Sequence, residues 1–264
     1  IERHLMTWFF PAGTIATDTA DVLVTPENAG WAYSGLHVYT LSPGRTVSVT
    51  LDHEEGVLVP LSAQNVAVTV DGAEFTLAGR TGVFAAVSDW IYVPVGSTLT
   101  LSGESGEIAL CTARAEETFP VEHVPATAVP VEVRGSGQAT RQVTNIATPG
   151  SFTAAHRINV CEVITPGGNL SSWPPHRHDG IGDCATTNEE IYYFRIGRGD
   201  SPHGDPDVMP AFPDLVTEGF VDLSARLPQT QDGVLGSLRG SADGEPQEEV
   251  AVSRPVEGPV SVQV

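Results

Sequence analysis

Two histidines one residue apart, His176 and His178, precede an acid pair, Glu189 and Glu190, which opens the aromatic run Ile191-Tyr192-Tyr193-Phe194. In an extended strand, residues i and i+2 face the same way, so this spacing aims two imidazoles into one space. The small and polar residues 180–188 return the chain to a neighbouring strand. There Glu190, Tyr192 and Phe194 share a face, which lets the Glu190 carboxylate meet the two imidazoles. Two neutral imidazoles and a carboxylate suit a divalent transition ion such as zinc, manganese, iron, cobalt or nickel, with open positions for substrate oxygens. A His-x-His pair alone marks a surface histidine pair just as often. A carboxylate heading an aromatic strand, after the turn Pro166-Gly167-Gly168, favours the metal. Arg177 and Asp179 alternate with the histidines and point away from them.

Strands must hold these residues, and the composition supplies them. The 264 residues include 27 glycines and 20 prolines, with short alternating Val and Thr runs and no long helix-period segment. Leu36-His37-Val38-Tyr39-Thr40-Leu41, Thr46-Val47-Ser48-Val49-Thr50-Leu51 and Gly56-Val57-Leu58-Val59-Pro60-Leu61 read as strands. Val66-Ala67-Val68-Thr69-Val70 meets Asp71-Gly72, a strong hairpin signal. Many short strands at this spacing predict a sandwich or a small barrel. Residues 116–130, weakly periodic and proline-containing, read as the crossover between two β domains, 1–125 and 126–264. The rhythm restarts at Val131-Glu132-Val133-Arg134 and Val160-Cys161-Glu162-Val163-Ile164, which suggests an internal duplication. After about residue 195 the text turns rich in Gly, Pro and Asp.

Only 17% of the residues are charged, with a formal net charge of −20, a poor match for nucleic acid or anionic membranes. All thirteen basic residues are arginine, which excludes a Schiff-base lysine and a P-loop lysine. Cys111, Cys161 and Cys184 show no Cys-x-x-Cys spacing and read as buried thiols in a reducing compartment. No segment approaches the ~20 apolar residues that span a bilayer, and a cytoplasmic location is the expectation.

The run Pro166-Gly167-Gly168-Asn169-Leu170-Ser171-Ser172-Trp173-Pro174-Pro175-His176-Arg177-His178-Asp179, with Glu189-Glu190-Ile191-Tyr192-Tyr193-Phe194, closely resembles the signature of the 5-deoxy-glucuronate isomerase family. These are bicupin enzymes of myo-inositol catabolism, related to 4-deoxy-5-ketouronate isomerase of pectin breakdown. Thr25-Pro26-Glu27-Asn28-Ala29-Gly30-Trp31 and Leu77-Ala78-Gly79-Arg80-Thr81-Gly82-Val83-Phe84 are similar to the family's first cupin. The resemblance covers roughly residues 8–194. It implies an all-β bicupin, two double-stranded β-helix (jelly-roll) barrels, the first without metal. The metal site, of Zn, Mn or Fe, lies in the second, with His176, His178 and Glu190 as ligands.

The implied reaction is an aldose–ketose isomerisation of a small sugar acid, 5-deoxy-glucuronate to 2-deoxy-5-keto-gluconate, by a cytoplasmic homo-oligomer. It moves a proton between adjacent carbons and needs a base within reach. Glu162, a carboxylate inside an apolar run, is either that base or a residue on a solvated face. Tyr192 either donates a hydrogen bond to the sugar or is a core aromatic. Arg141 either pairs with the substrate carboxylate or sits in a surface salt bridge. Arg141, Gln142 and Asn145 match a family motif, and the resemblance makes Asn145 a substrate-binding candidate. Two departures stand out. No histidine follows His203, whereas a cupin completes its site with a later one, and the tail has the family's length but unrelated text. A shifted reading frame fits that better than a deletion. An inactive sugar-binding bicupin and a cupin dioxygenase are the competing functions.

Overall fold

The computed structural model describes residues 9–10, 13–167, 169–171 and 188–196, together with five short strand segments between residues 220 and 263. In chain order the elements begin with β1 (Phe9–Phe10), β2 (Val22–Val24), the helical turn α1 (Pro26–Ala29), β3 (Ser34–Leu41), β4 (Thr46–Thr50) and β5 (Glu54–Pro60). They continue with β6 (Gln64–Val70), β7 (Ala73–Gly79), β8 (Trp90–Val93), β9 (Thr98–Ser102), β10 (Gly106–Arg114) and β11 (Glu122–Val124). The second half holds β12 (Val131–Arg134), β13 (Arg141–Ala147), β14 (Val160–Thr165) and β15 (Ile191–Ile196). Then come β16 (Phe220–Val221), β17 (Gln229–Thr230), β18 (Gly233–Val234), β19 (Gln247–Ser253) and β20 (Ser261–Gln263).

Two antiparallel sheets close the first half: six strands in the order β11-β8-β5-β10-β3-β2, and four in the order β4-β9-β6-β7. Alternation decides what fills the space between them. Tyr39, Leu41, Leu58, Ile91, Val93, Ile108 and Leu110 of the larger sheet pack against Val47, Val66, Val68, Leu99 and Leu101 of the smaller. The Asp71-Gly72 hairpin forms as the sequence predicts, with both residues at positive φ (48° and 88°) and Val70 paired with Ala73. Gly106 is required on steric grounds: φ is +94°, and a Cβ there would stand 2.2 Å from the Ser62 carbonyl oxygen.

The larger sheet is buried on its other face too. Leu36, Val38, Val57, Val59, Trp90, Tyr92, Ala109 and Cys111 form one cluster with Ile146, Phe152, Ile158, Val160, Ile191 and Tyr193 of the second half. Burial on both faces explains why β5 and β10 read as continuous apolar runs rather than alternating ones. The second half contributes an eight-stranded sheet, β1-β16-β15-β19-β20-β14-β13-β12. Residues 122–124, read as crossover, extend the first sheet by pairing with β8, and Phe9–Phe10 pair with Phe220–Val221 of the second.

His37 lies inside the first barrel, where its Nδ1 and the Tyr39 hydroxyl hydrogen-bond at 2.9 Å. Burial holds the imidazole down to about 4. The unfolded chain binds a proton at His37 near pH 6.5 and the folded one does not, so stability falls as pH drops from about 6.5 to 4. A His37→Gln variant is expected to lose up to about 1.4 kcal/mol per pH unit of that slope, read by denaturant titration across the window.

Candidate functional site

Register through the second sheet sorts every candidate onto one of two faces. Thr144 pairs with Glu162, Glu162 with Val250, and Val250 with Tyr193, so these share one face. Val143 pairs with Val163, Val163 with Glu249, and Glu249 with Phe194, so these share the other. Val160, Ile191 and Tyr193 belong to the cluster shared with the first half of the chain, so the first face looks onto that half. By alternation the second face carries Arg141, Asn145, Cys161, Glu190 and Tyr192.

On that second face, Glu190 is half-buried at the head of β15, and the Tyr192 and Phe194 rings stack at 5.8 Å. Asn145 donates from Nδ2 to the Glu132 carboxylate (2.8 Å), which also binds Arg134 at 2.5 Å. Those contacts, led by Arg134, hold the Glu132 carboxyl below its usual range. Arg141, half-buried, donates to the Ala139 carbonyl at 3.0 Å. Four sequence candidates therefore share a surface. His176 and His178 lie outside the described residues, and among those described no group of three His, Cys, Asp or Glu is placed to hold a metal.

Glu162 is placed differently from these four. It is 1% exposed on the opposite face, where its Oε2 accepts from Arg80 at 2.5 Å. The same guanidinium donates to the Pro60 and Ala86 carbonyls at 2.9 and 3.0 Å. The structure excludes the solvated face: Glu162 is buried in an ion pair between the two halves, on the face opposite Tyr192. Burial in a strand with both faces covered leaves no alternation from which the side could be read.

Two further carboxylates were missed. Glu55, fully buried, accepts from the backbone N–H of His156, Arg157 and Ile158 (2.8, 2.5 and 2.8 Å) and from the Tyr92 hydroxyl (2.7 Å). Burial, and then the Glu55 carboxylate, pushes the Tyr92 hydroxyl well above its ordinary range. Glu189 accepts from the N–H groups of Ala32, Tyr33 and Ser34 at 2.7, 2.9 and 2.9 Å. Each half of the chain thus lends one acid to three successive amides of the other, and Arg157 lies over the Tyr33 ring. Arg195 adds an ion pair to Glu107 across the same interface. The signals present were the two Glu-Glu doublets and the Arg80 segment; none names a partner.

A model of the KduI/IolB family matches residues 9–204. The chain belongs to that family. A 5-deoxy-glucuronate isomerase of Geobacillus kaustophilus (strain HTA426) is 36% identical over 182 residues, 67% of this chain and 65% of that protein. One from Geobacillus thermodenitrificans (strain NG80-2) is 35% identical over 178 residues, 66% and 64% of the two chains. The chain thus spans just under two thirds of the length of these relatives. An IolB-like protein from Salmonella typhimurium LT2 superposes over 97% of this chain and 96% of its own, with a TM-score of 0.75 at 23% identity. The KduI/IolB chain accordingly has the all-β bicupin fold its sequence implied. Cys111 and Cys161 are buried, and no helix among the described residues is long and apolar enough to cross a membrane.

Proposed function

We propose that this KduI/IolB chain isomerises 5-deoxy-glucuronate to 2-deoxy-5-keto-gluconate in inositol catabolism, using a divalent transition metal. The observation that carries the reading is its likeness to the isomerases of Geobacillus. The half-buried Glu190 sharing a face with Tyr192, Asn145 and Arg141 agrees with it. The donor set fits such an ion: two imidazoles at His176 and His178 and the Glu190 carboxylate. When bound, the ion would supply charge stabilisation for the enediolate that proton transfer creates. Tyr192 offers a hydroxyl to the sugar, and Arg141 with Asn145 receives the carboxylate end of the substrate. Glu162 stays outside this surface and positions β14 through Arg80. The substrate is a small sugar acid, and the chain works as a cytoplasmic homo-oligomer.

The test is direct. Purified protein supplied with Zn, Mn or Fe is mixed with 5-deoxy-glucuronate and followed by NMR. Loss of the aldose anomeric signal with growth of a ketone carbon is expected. No conversion with any of the three metals contradicts the proposal. One observation favours a second reading, a sugar-binding bicupin without catalysis: no histidine follows His203 to complete the ligand set. Saturable sugar binding without turnover would select it, and oxygen uptake would select a dioxygenase.

A further inference from the structure

We propose that Glu189 is a positioning residue, through which the metal-free first cupin sets the aim of Glu190 in the second. This rests on the reading of Glu190 as a metal ligand. The Glu189 carboxylate is gripped by three consecutive amides, at residues 32–34, with N···O distances of 2.7, 2.9 and 2.9 Å. Charge-assisted bonds of this kind are roughly twice as strong as neutral ones, and three together fix both carboxylate oxygens.

The platform that presents those amides is itself rigid. Thr25 caps α1 in a reciprocal capping box with Asn28, Pro26 opens the turn, and Gly30 closes it in the left-handed conformation at φ 70°. The Trp31 N–H then returns to the Pro26 carbonyl at 2.7 Å, so residues 32–34 leave the turn on a fixed path into β3. That assigns a purpose to Thr25-Pro26-Glu27-Asn28-Ala29-Gly30-Trp31 in a domain that brings no His-x-His pair. Glu189 and Ile191 look onto the first domain, so Glu190 between them is turned onto the opposite face. Pinning residue 189 therefore fixes where the Glu190 carboxylate stands. Partners that orient a ligand typically govern metal affinity by about 10–100-fold.

The full-length protein, stripped of metal, is titrated calorimetrically with Mn²⁺ and separately with Zn²⁺. Glu189→Ala, Glu189→Gln, Glu190→Ala and Glu55→Gln variants are treated alike, with near-UV circular dichroism reporting the fold. Glu189→Ala is expected to bind metal about 10–100-fold more weakly than the parent, with Glu189→Gln between the two because it keeps one acceptor oxygen. Glu55→Gln, the mirror-image clamp without a neighbouring ligand, should lose stability and keep its affinity. Should Glu189→Ala not fold, the Glu189→Gln affinity decides. Parent-like affinity in the folded Glu189 variants, with Glu190→Ala unable to bind, overturns the positioning role and leaves the metal site standing. A parent that binds neither ion, or a Glu190→Ala variant that binds like the parent, overturns the ligand reading and this inference with it.

Discussion

An Arg80→Met variant is expected to unfold about 3–5 kcal/mol more easily than the parent, the range seen when one member of a buried ion pair is removed. The side chains of Arg80 and Glu162 are 1% and 2% exposed, so the abandoned carboxylate would find no water. It lies on the sheet face that also carries Val160, Ile191 and Tyr193 of the cluster shared by the two halves. Deleting both charges is the informative control. An Arg80→Met/Glu162→Leu double variant should recover most of the loss, because apolar replacements of similar volume often match a buried pair. Chemical denaturation of these two variants, the Glu162→Leu single variant and the parent gives the cycle. An Arg80→Met variant within about 1 kcal/mol of the parent would mean that water reaches Glu162.

The second large effect is expected at Glu55. Replacing it with alanine strands three backbone N–H groups and the Tyr92 hydroxyl inside the domain interface. Each buried donor left without an acceptor costs about 1–3 kcal/mol, and partial relaxation should hold the total to roughly 3–5 kcal/mol. Glu55→Gln keeps the shape and one acceptor oxygen, so about half that loss is expected. Hydrogen exchange locates the effect: the amides of residues 156–158 should be protected in the parent and exchange faster in Glu55→Ala. Unchanged exchange at those amides would show that the carboxylate does not hold them.

These polar links sit on a larger apolar base. Each fully buried Val, Leu or Ile contributes about 1.5–3 kcal/mol, and the inter-domain cluster holds many of them, Leu36, Val38 and Val57 among them. Apolar burial holds the halves together, and the carboxylates fix how they sit. A slip of β15 by one residue would move Glu190 off its face and Tyr193 out of the core; Glu189 on its three amides and Arg195 on Glu107 oppose that slip.

The strand rhythm and the Asp71-Gly72 turn could be read locally, because alternation and turn chemistry are properties of neighbouring residues. So could the sharing of one face by Tyr192 and Phe194, whose rings stack, which needs only the period of a strand. The fate of Glu162 could not be read. Its partner lies 82 residues upstream, and Val160-Cys161-Glu162-Val163-Ile164 is buried on both faces, so the pattern carries no inside or outside. Glu55 and Glu189 raise the same difficulty at separations of 101 to 103 and 155 to 157 residues. A doublet of acids looks identical whether it faces solvent or a row of amides. Residues 122–124 read as linker because three residues are too few to show alternation, yet they find an open strand edge at β8.

The metal centre proposed for this KduI/IolB chain is built on His176, His178 and Glu190. Elemental analysis of the dialysed parent beside a dialysed His176→Ala variant tests it most directly. About one transition ion per chain in the parent, and none in the variant, is the expected result. Parent protein free of metal, or a variant that keeps as much metal as the parent, would contradict it.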